Sequence, residues 1–168
     1  MPNTFSLIAS STVGAGGASS IDFTSTPQTY TDLCIKSSLR NDGGNTVVYV
    51  DFNGSTSSFT TRLLYGDGTS PGSVSYSSPD RRASNMVQGT FTASTFSNGE
   101  FYIPNYTGSN NKSFSSDSVQ ENNATLSYSF MFAGLWSNTA AINRVTLTPI
   151  AGSFVQYSTA YLYGIKNS

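Results

Sequence analysis

Few side chains in this sequence are suited to catalysis, and the first constraint is that the chain contains no histidine. A Ser-His-Asp or Cys-His arrangement needs an imidazole as its base, so nucleophilic catalysis of that kind is excluded. The usual zinc ligand sets are excluded as well, because Cys34 is the one cysteine and has no histidine to join it. In the run Leu33-Cys34-Ile35 this cysteine is expected to be a small, buried strand residue.

Acidic residues are the remaining candidates for acid–base chemistry, which in glycosidases needs a pair of carboxylates. The nine acids are scattered, and Asp22, Asp32, Asp42 and Asp51 each stand at a strand edge or turn. Asp42 and Asp67 lie beside glycines and offer oxygens to Ca²⁺, but neither matches an EF-hand loop and Asp-Gly is first of all a turn pair. We therefore expect no catalytic residue, no metal and no cofactor, and a structural or binding module rather than an enzyme.

The charge balance bears on partners. Eight Lys and Arg oppose nine Asp and Glu, and Arg81-Arg82 is the one basic cluster, so the basic footprint of a nucleic-acid-binding protein is missing. No apolar run approaches the ~20 residues that span a bilayer, and Met1 to Phe5 lack the basic and apolar regions of a secretory signal. We expect neither nucleic acid nor membrane as a partner, and folding in a reducing cytoplasm.

The composition predicts a folded β domain. Aromatic residues make up 13% of the chain and charged residues only 10%, which is the reverse of a disordered chain. Thr, Tyr, Phe and Val suit a pleated, half-buried surface. Apolar residues alternate along the chain, and no window shows helical spacing. Residues 1–168 are expected to form a single all-β domain, since 168 residues match one domain in length.

Alternation between turn signals predicts strands at regular intervals, with a tight reversal at Asn53-Gly54. The segment 112–119 is expected at the edge of a sheet. In the last strand, alternate residues from Val155 through Tyr161 and Tyr163 to Ile165 share one face of a core strand. The predicted strands cover 5–9, 20–24, 30–39, 46–52, 59–65, 86–93, 100–103, 112–119, 125–136, 144–148 and 155–165.

A long loop is expected near residues 66–85, because the stretch from Thr69 to Asn85 is rich in Ser, Gly and Pro. Loops of this length are usually functional or poorly ordered, and loops and termini most often carry contacts outside the domain. Arginine is enriched at interfaces. The residues expected to contact a partner are Met1, Pro2, Asn3, Thr4, Arg81 and Arg82.

Carbohydrate binding is the strongest alternative for a site. Tyr65, Tyr76, Tyr102 and Tyr106 lie in or beside predicted loops, where their rings could stack on sugars. The simpler interpretation is that each tyrosine packs its ring and keeps its hydroxyl in water.

Two stretches resemble a known group of proteins. Residues 154–166, which end in Leu162-Tyr163-Gly164-Ile165-Lys166, follow the strand 145–148 in a pattern similar to that of small jelly-roll virion proteins of tailed bacteriophages. Residues 20–25 followed by 30–33 resemble the same group, whereas Gly66 to Asn85 do not. The resemblance implies a single jelly-roll-like antiparallel β-sandwich, often trimeric, displayed on the virion and without catalytic residues.

The function that this resemblance implies is capsid decoration. A decoration (cement) protein is made in the host cytoplasm, binds the major capsid protein and stabilises the assembled head by bridging capsid subunits, here as a homotrimer. Near-neutrality is compatible with binding through shape and modest apolar contact. The alternative is a tail-fibre or receptor-binding module that recognises host surface glycans. A glycan-active enzyme ranks third, and an exposed aromatic cluster beside carboxylates would favour either alternative.

Overall fold

The computed structural model describes residues 4–121 and 127–166, and all regular secondary structure in them is β. The all-β prediction is therefore confirmed. The strands are β1 (Phe5–Thr12), β2 (Ile21–Phe23), β3 (Asp32–Leu39), β4 (Val47–Phe52), β5 (Phe59–Gly66), β6 (Pro71–Tyr76), β7 (Arg82–Asn85), β8 (Ser97–Ile103), β9 (Lys112–Gln120), β10 (Tyr128–Trp136), β11 (Val145–Pro149) and β12 (Thr159–Ile165).

These strands pair into two sheets of unequal size. The larger sheet has eight strands in the order β1-β12-β3-β8-β9-β10-β5-β6, and the smaller has four in the order β2-β11-β4-β7. Every pairing between these strands is antiparallel. The antiparallel β-sandwich is confirmed, while the jelly-roll connectivity and the single domain over 1–168 stay predictions.

Aromatic rings fill the core between the two sheets. Phe52 of β4 stands at the centre, and its ring centroid lies 5.6 Å from those of Phe59 and Trp136 and 6.0 Å from that of Phe114. Phe101 adds a further ring at 4.9 Å from Phe114. Each buried ring removes roughly 150–250 Å² of mostly apolar surface from water, so this cluster is a main source of the stability of the sandwich.

Hydrogen bonds between β9 and β7 join the sheets at the edge of the core. The inward side chains of β9 beyond Phe114 are polar, and all three are buried. Ser116 donates to the backbone carbonyl of Ala83, the Asn85 N–H donates to Ser118 Oγ at 3.1 Å, and Gln120 donates to the Met86 carbonyl. We call this set of bonds the seam. It satisfies the free backbone edge of β7 inside the protein, where an unpaired group is costly.

The smaller sheet ends at the seam, so part of the inner face of β10 and β5, together with that of β6, lies beyond it. This face carries a second apolar cluster, in which Leu63, Phe130 and Phe132 are buried. Tyr65, Val74, Tyr76 and Tyr128 pack against them and are half-buried. The inner face of the large sheet therefore has a covered part and an open, aromatic part.

The loop expected at Thr69–Asn85 is wrong, because this stretch contains β6 and β7. The glycine and proline of β6 make its sequence resemble a loop. Pro71 is the first residue of this strand, which lies at the edge of the sheet, where a missing N–H costs no ladder bond. The ring of Tyr65 lies over Gly72, in the space that a side chain there would occupy. The chain thus passes from the large sheet to the small one through these two strands.

Two other strand predictions are wrong. Lys112–Gln120 is an interior strand between β8 and β10 rather than an edge, because its inward serines and glutamine bond β7 instead of water. The segment 86–93 forms no strand and has only an isolated bridge at Val87. Its turns are held by hydrogen bonds from the side chain of Arg40. The buried Arg40 guanidinium donates to the carbonyls of Gly89, Phe91, Thr92 and Thr95 at 2.8–3.3 Å.

Other expectations are confirmed in part. Asn53 and Gly54 form the expected tight reversal, with φ of 54° and 74° and a bond from the Ser55 N–H to the Phe52 carbonyl at 2.9 Å. The last strand begins at Thr159, and Ala160 and Leu162 face the core while Tyr161 and Tyr163 face outward. In the segment 125–136, residues 125 and 126 lie outside the described residues.

A methyl group at Gly134 would test the core packing. Gly134 of β10 lies opposite Phe114 of β9, whose ring occupies the position that a Cβ atom would take. The ring is held by Phe52 and Phe101, so it has no room to turn aside. Gly134→Ala should lower the free energy of unfolding by about 1–3 kcal/mol in urea titration.

Gly66→Ala is the matched control, because Gly66 also lies in a strand and nothing stands within 4 Å of a Cβ there. Equal stability of the two variants would contradict the described packing of Phe114.

Candidate functional site

The outer face of the eight-stranded sheet carries an unusual number of exposed apolar side chains. The outer face of a sandwich sheet is normally polar, since it faces water. Here Met131 of β10 and Leu64 of β5 are paired neighbours and are 63% and 59% exposed. They border a shallow depression of about 470 Å³, which Ala133 and Arg62 also line. The larger exposed apolar side chains of this face are Phe5, Leu7, Tyr161, Val119, Met131 and Leu64.

Most charges on this outer face lie in its middle strands, while the exposed Arg62 lies on β5 near one edge. Lys36 of β3 and Glu100 of β8 form an exposed ion pair at 2.6 Å, and the Glu100 carboxylate raises the pKa of Lys36. Asp117 of β9 lies directly opposite Glu100 and is exposed. The face thus combines apolar side chains on both flanks with a nearly balanced charged centre.

Of the predicted N-terminal contacts, the structure describes Thr4. Met1, Pro2 and Asn3 lie outside the described residues. Thr4 is exposed, and its carbonyl accepts a bond from the Lys166 N–H at 3.1 Å. Phe5 follows directly and is half exposed on the outer face, where its ring meets that of Tyr163 with centroids 6.2 Å apart. Thr4 therefore leads into the fold at the β1 edge of the outer face.

The predicted contacts Arg81 and Arg82 are bound to neighbours in this chain. The Arg81 guanidinium pairs with Asp51 and lies 4.2 Å from the Tyr49 ring centroid. Arg82 pairs with Asp80 at 2.9 Å, and its guanidinium lies 4.1 Å from the Tyr76 ring centroid. These bonds hold the start of β7 and leave little of either charge free. Their contact with a partner stays a prediction.

The acidic residues that were considered for catalysis have partners of their own. Asp22 accepts a two-pronged bond from Arg144, which lowers the pKa of Asp22. The Asp32 carboxylate accepts bonds from the Tyr102 hydroxyl at 2.7 Å and the Asn105 N–H at 2.8 Å.

The acids beside glycines cap turns. Asp42 accepts a bond from the Ser153 N–H at 2.7 Å. Asp67 caps the turn of Thr69 and Ser70, and the Ser70 N–H is the main cause that lowers the pKa of Asp67 to about 2. In the part of the chain that the structure describes, no group of three or more His, Cys, Asp or Glu side chains could hold a metal ion.

The four tyrosines considered for sugar binding divide into two pairs. Tyr65 and Tyr76 come together on the open part of the inner face. Tyr102 lies on the outer face, where its bond to Asp32 raises its pKa to about 12. Tyr106 is fully buried and donates to the Pro27 carbonyl, and burial raises its pKa. Of the four, Tyr65 and Tyr76 lie together at one apolar surface.

Sequence reasoning missed the outer face itself. Leu63-Leu64 and Phe130-Met131-Phe132 place apolar residues at adjacent positions, so both faces of β5 and β10 are apolar. A strict alternation would have left one face polar. The adjacent apolar pairs are the signal that could have revealed this surface.

Cys34 is buried on β3, as expected. Burial, followed by the nearby Glu100 carboxylate, raises the pKa of the Cys34 thiol to about 11. The thiolate is the reactive form, so this thiol should be inert at neutral pH.

Cys34 should react with the aromatic disulfide DTNB at pH 8 at least about 100-fold more slowly in the folded chain than in concentrated guanidinium chloride. The raised pKa lowers the thiolate fraction, and burial blocks the reagent. The absorbance of the released thiolate measures both rates. Equal rates would contradict the buried position of Cys34.

Comparison with protein-family models, with curated proteins and with solved structures gives no match to this chain. No helix within residues 4–121 and 127–166 is long and apolar enough to cross a membrane.

Proposed function

We propose that this chain is a structural protein of a tailed-bacteriophage virion. In this proposal it decorates the head as a homotrimer, binds the major capsid protein and stabilises the assembled shell. The observation that supports docking most strongly is the set of exposed apolar side chains on the outer face of the eight-stranded sheet. Exposed apolar side chains at this density usually mark an interaction surface.

The area of the outer face suits a stable protein interface. Eight strands about 4.8 Å apart span about 34 Å, and strands of six to nine residues are roughly 20–30 Å long. The face therefore offers roughly 800 Å², which is about what each partner buries in a standard interface. Its charges are nearly balanced, so shape and apolar contact would dominate binding.

The predicted N-terminal contact that the structure describes is close to this surface. The exposed Thr4 leads directly into Phe5 at the β1 edge, so a contact at Thr4 would adjoin the outer face. Among the described strands nothing pairs with the outer edge of β1, where a partner strand could add main-chain hydrogen bonds. The capsid lattice is the occupant to which we assign this surface.

Stabilisation would follow from mass action. A partner that binds only the assembled lattice shifts the equilibrium toward that lattice, by an amount that grows with its concentration relative to its Kd. A lattice held in this way resists the pressure of packaged DNA.

Gold-labelled antibody against this protein, applied to purified phage particles and viewed by electron microscopy, tests the location. Even labelling over the head is expected. Labelling confined to the tail would favour the alternative, a receptor-binding module. Particles without label, with the protein only in the lysate, would contradict both virion locations.

Leu64→Asp combined with Met131→Asp should weaken binding to heads that lack this protein by at least about 10-fold, because the charges would be desolvated in an apolar interface. Cosedimentation of purified chain with such heads measures the affinity. Both side chains are exposed, but the two carboxylates would face each other across paired strands, so a small fall in the unfolding midpoint is expected and cosedimentation is measured well below that midpoint.

Tyr157→Asn is the control. Tyr157 is 68% exposed before β12 and has a φ of 72°, which asparagine adopts readily. The assignment of the outer face would be overturned if the double aspartate variant cosedimented with heads as the parent chain does and only the control bound more weakly.

A further inference from the structure

A groove of about 470 Å³ lies on the opposite side of the same strands, over the open part of the inner face. Its floor is formed by Leu63, Phe130 and Phe132, with the rings of Tyr65 and Tyr128 beside them. The Tyr128 and Phe130 rings are 5.5 Å apart at 25°, and the Phe130 and Phe132 rings are 6.2 Å apart at the same angle. This volume is in the range of small-ligand sites, about 300–1,000 Å³.

The walls of the groove are held by bonds within the chain. Tyr65 rests on Gly72, and Tyr76 is held by the Arg82 guanidinium. Phe91 lines the groove from the 86–93 segment, where the Phe91 carbonyl accepts a bond from buried Arg40 at 3.0 Å. The groove is therefore formed in advance rather than assembled from free loops.

Two buried amides at the groove have hydrogen-bonding atoms to spare. Asn85 is 5% exposed and uses its side-chain oxygen to accept from Thr46, while its side-chain NH₂ has no protein partner among the described residues. Gln120 is 2% exposed and donates its NH₂ to the Met86 carbonyl, which leaves its oxygen without a protein donor in the same part of the chain. A ligand here is offered one donor and one acceptor.

More hydroxyl groups surround these amides. The phenol groups of Tyr65, Tyr76 and Tyr128 make no hydrogen bond within residues 4–121 and 127–166. Each can donate and accept. The polar groups of the groove thus match a ligand whose own groups do both.

The charged side chains at the groove favour a neutral ligand over an ionic one. Arg82 is the one charged side chain among the described residues that line it, and Asp80 pairs with it at 2.9 Å. An anionic ligand would need an unpaired cation, and a cationic ligand would need a carboxylate in the groove. Neither is offered, so a neutral ligand fits best.

We propose that this groove binds a neutral carbohydrate, about two or three sugar rings long by its volume. Sugar hydroxyls both donate and accept, so one sugar edge can take a bond from Asn85 and give one to Gln120. The apolar C–H faces of the rings pack on the aromatic floor. A peptide also carries donors and acceptors, but it leaves the scattered tyrosine hydroxyls without matching partners.

This inference goes beyond head decoration and does not depend on it. The groove and the outer face lie on opposite sides of β10 and β5, and they share no exposed side chain. If phage particles carried no label in electron microscopy, head decoration would be contradicted, but the proposal that the groove binds a ligand would still stand.

The test is a printed array of neutral and acidic glycans, probed with the fluorescently labelled full chain. We expect binding to neutral glycans alone. Titration calorimetry with the best neutral oligosaccharide should then show at least a 10-fold weaker Kd for Tyr128→Ala, which removes a ring from the floor. The same loss is expected for Asn85→Asp, which keeps the acceptor to Thr46 and removes the donor.

Matched controls separate a lost contact from a lost fold. Tyr161→Ala removes an outward ring of β12, and Asn98→Asp makes the same chemical change at an exposed position of β8. Both should bind as the parent chain does, and circular dichroism checks that all variants are folded.

Three results would overturn the proposal. These are no neutral glycan bound by the folded parent chain, equal binding by groove variants and controls, or binding of a proline-rich peptide at the groove with no glycan bound.

Discussion

The seam between β9 and β7 is the interaction on which the rest of this architecture depends. A sheet edge leaves backbone groups without partners, and inside a protein each such group costs about 1–3 kcal/mol. Ser116, Ser118 and Gln120 meet those groups at β7, so the small sheet ends in the interior without a further strand. Apolar residues at the same positions would pack as well but would leave the β7 edge unsatisfied.

Because the small sheet ends there, it leaves uncovered the inner face of β6 and the parts of β10 and β5 that carry Phe130, Phe132 and Leu63, in addition to the outer face that every sandwich sheet exposes. The chain places aromatic residues on the inner one and Leu64 and Met131 on the outer one. Two open apolar surfaces on one set of strands are costly in water unless something binds them. The unequal sizes of the two sheets therefore account for the inner groove, while the adjacent apolar residues of β5 and β10 account for the outer face.

The sequence predicted the β class and most strands, since alternation such as that of Leu33, Ile35 and Leu39 with polar neighbours reports which strands line a core, while the resemblance implied the sandwich. The prediction of strands failed where side chains form hydrogen bonds with backbone groups instead of packing in the core. Polar β9 resembled an edge because its serines bond β7, and β6 resembled a loop because Pro71 and Gly72 are tolerated at an edge that Tyr65 covers. The groove depends on Arg40 and residues 88–95, which are distant in sequence, so no local pattern reports it.

The two proposals fit the same geometry. A chain that docks through the outer face of β10 and β5 turns the inner face of these strands away from its partner, because side chains on a strand alternate between opposite sides. The groove would then face the medium. With Arg82 paired to Asp80 and Lys36 paired to Glu100, neither surface attracts ions strongly. Selectivity would rest on shape at the outer face, and at the groove also on the hydrogen-bonding groups of Asn85 and Gln120.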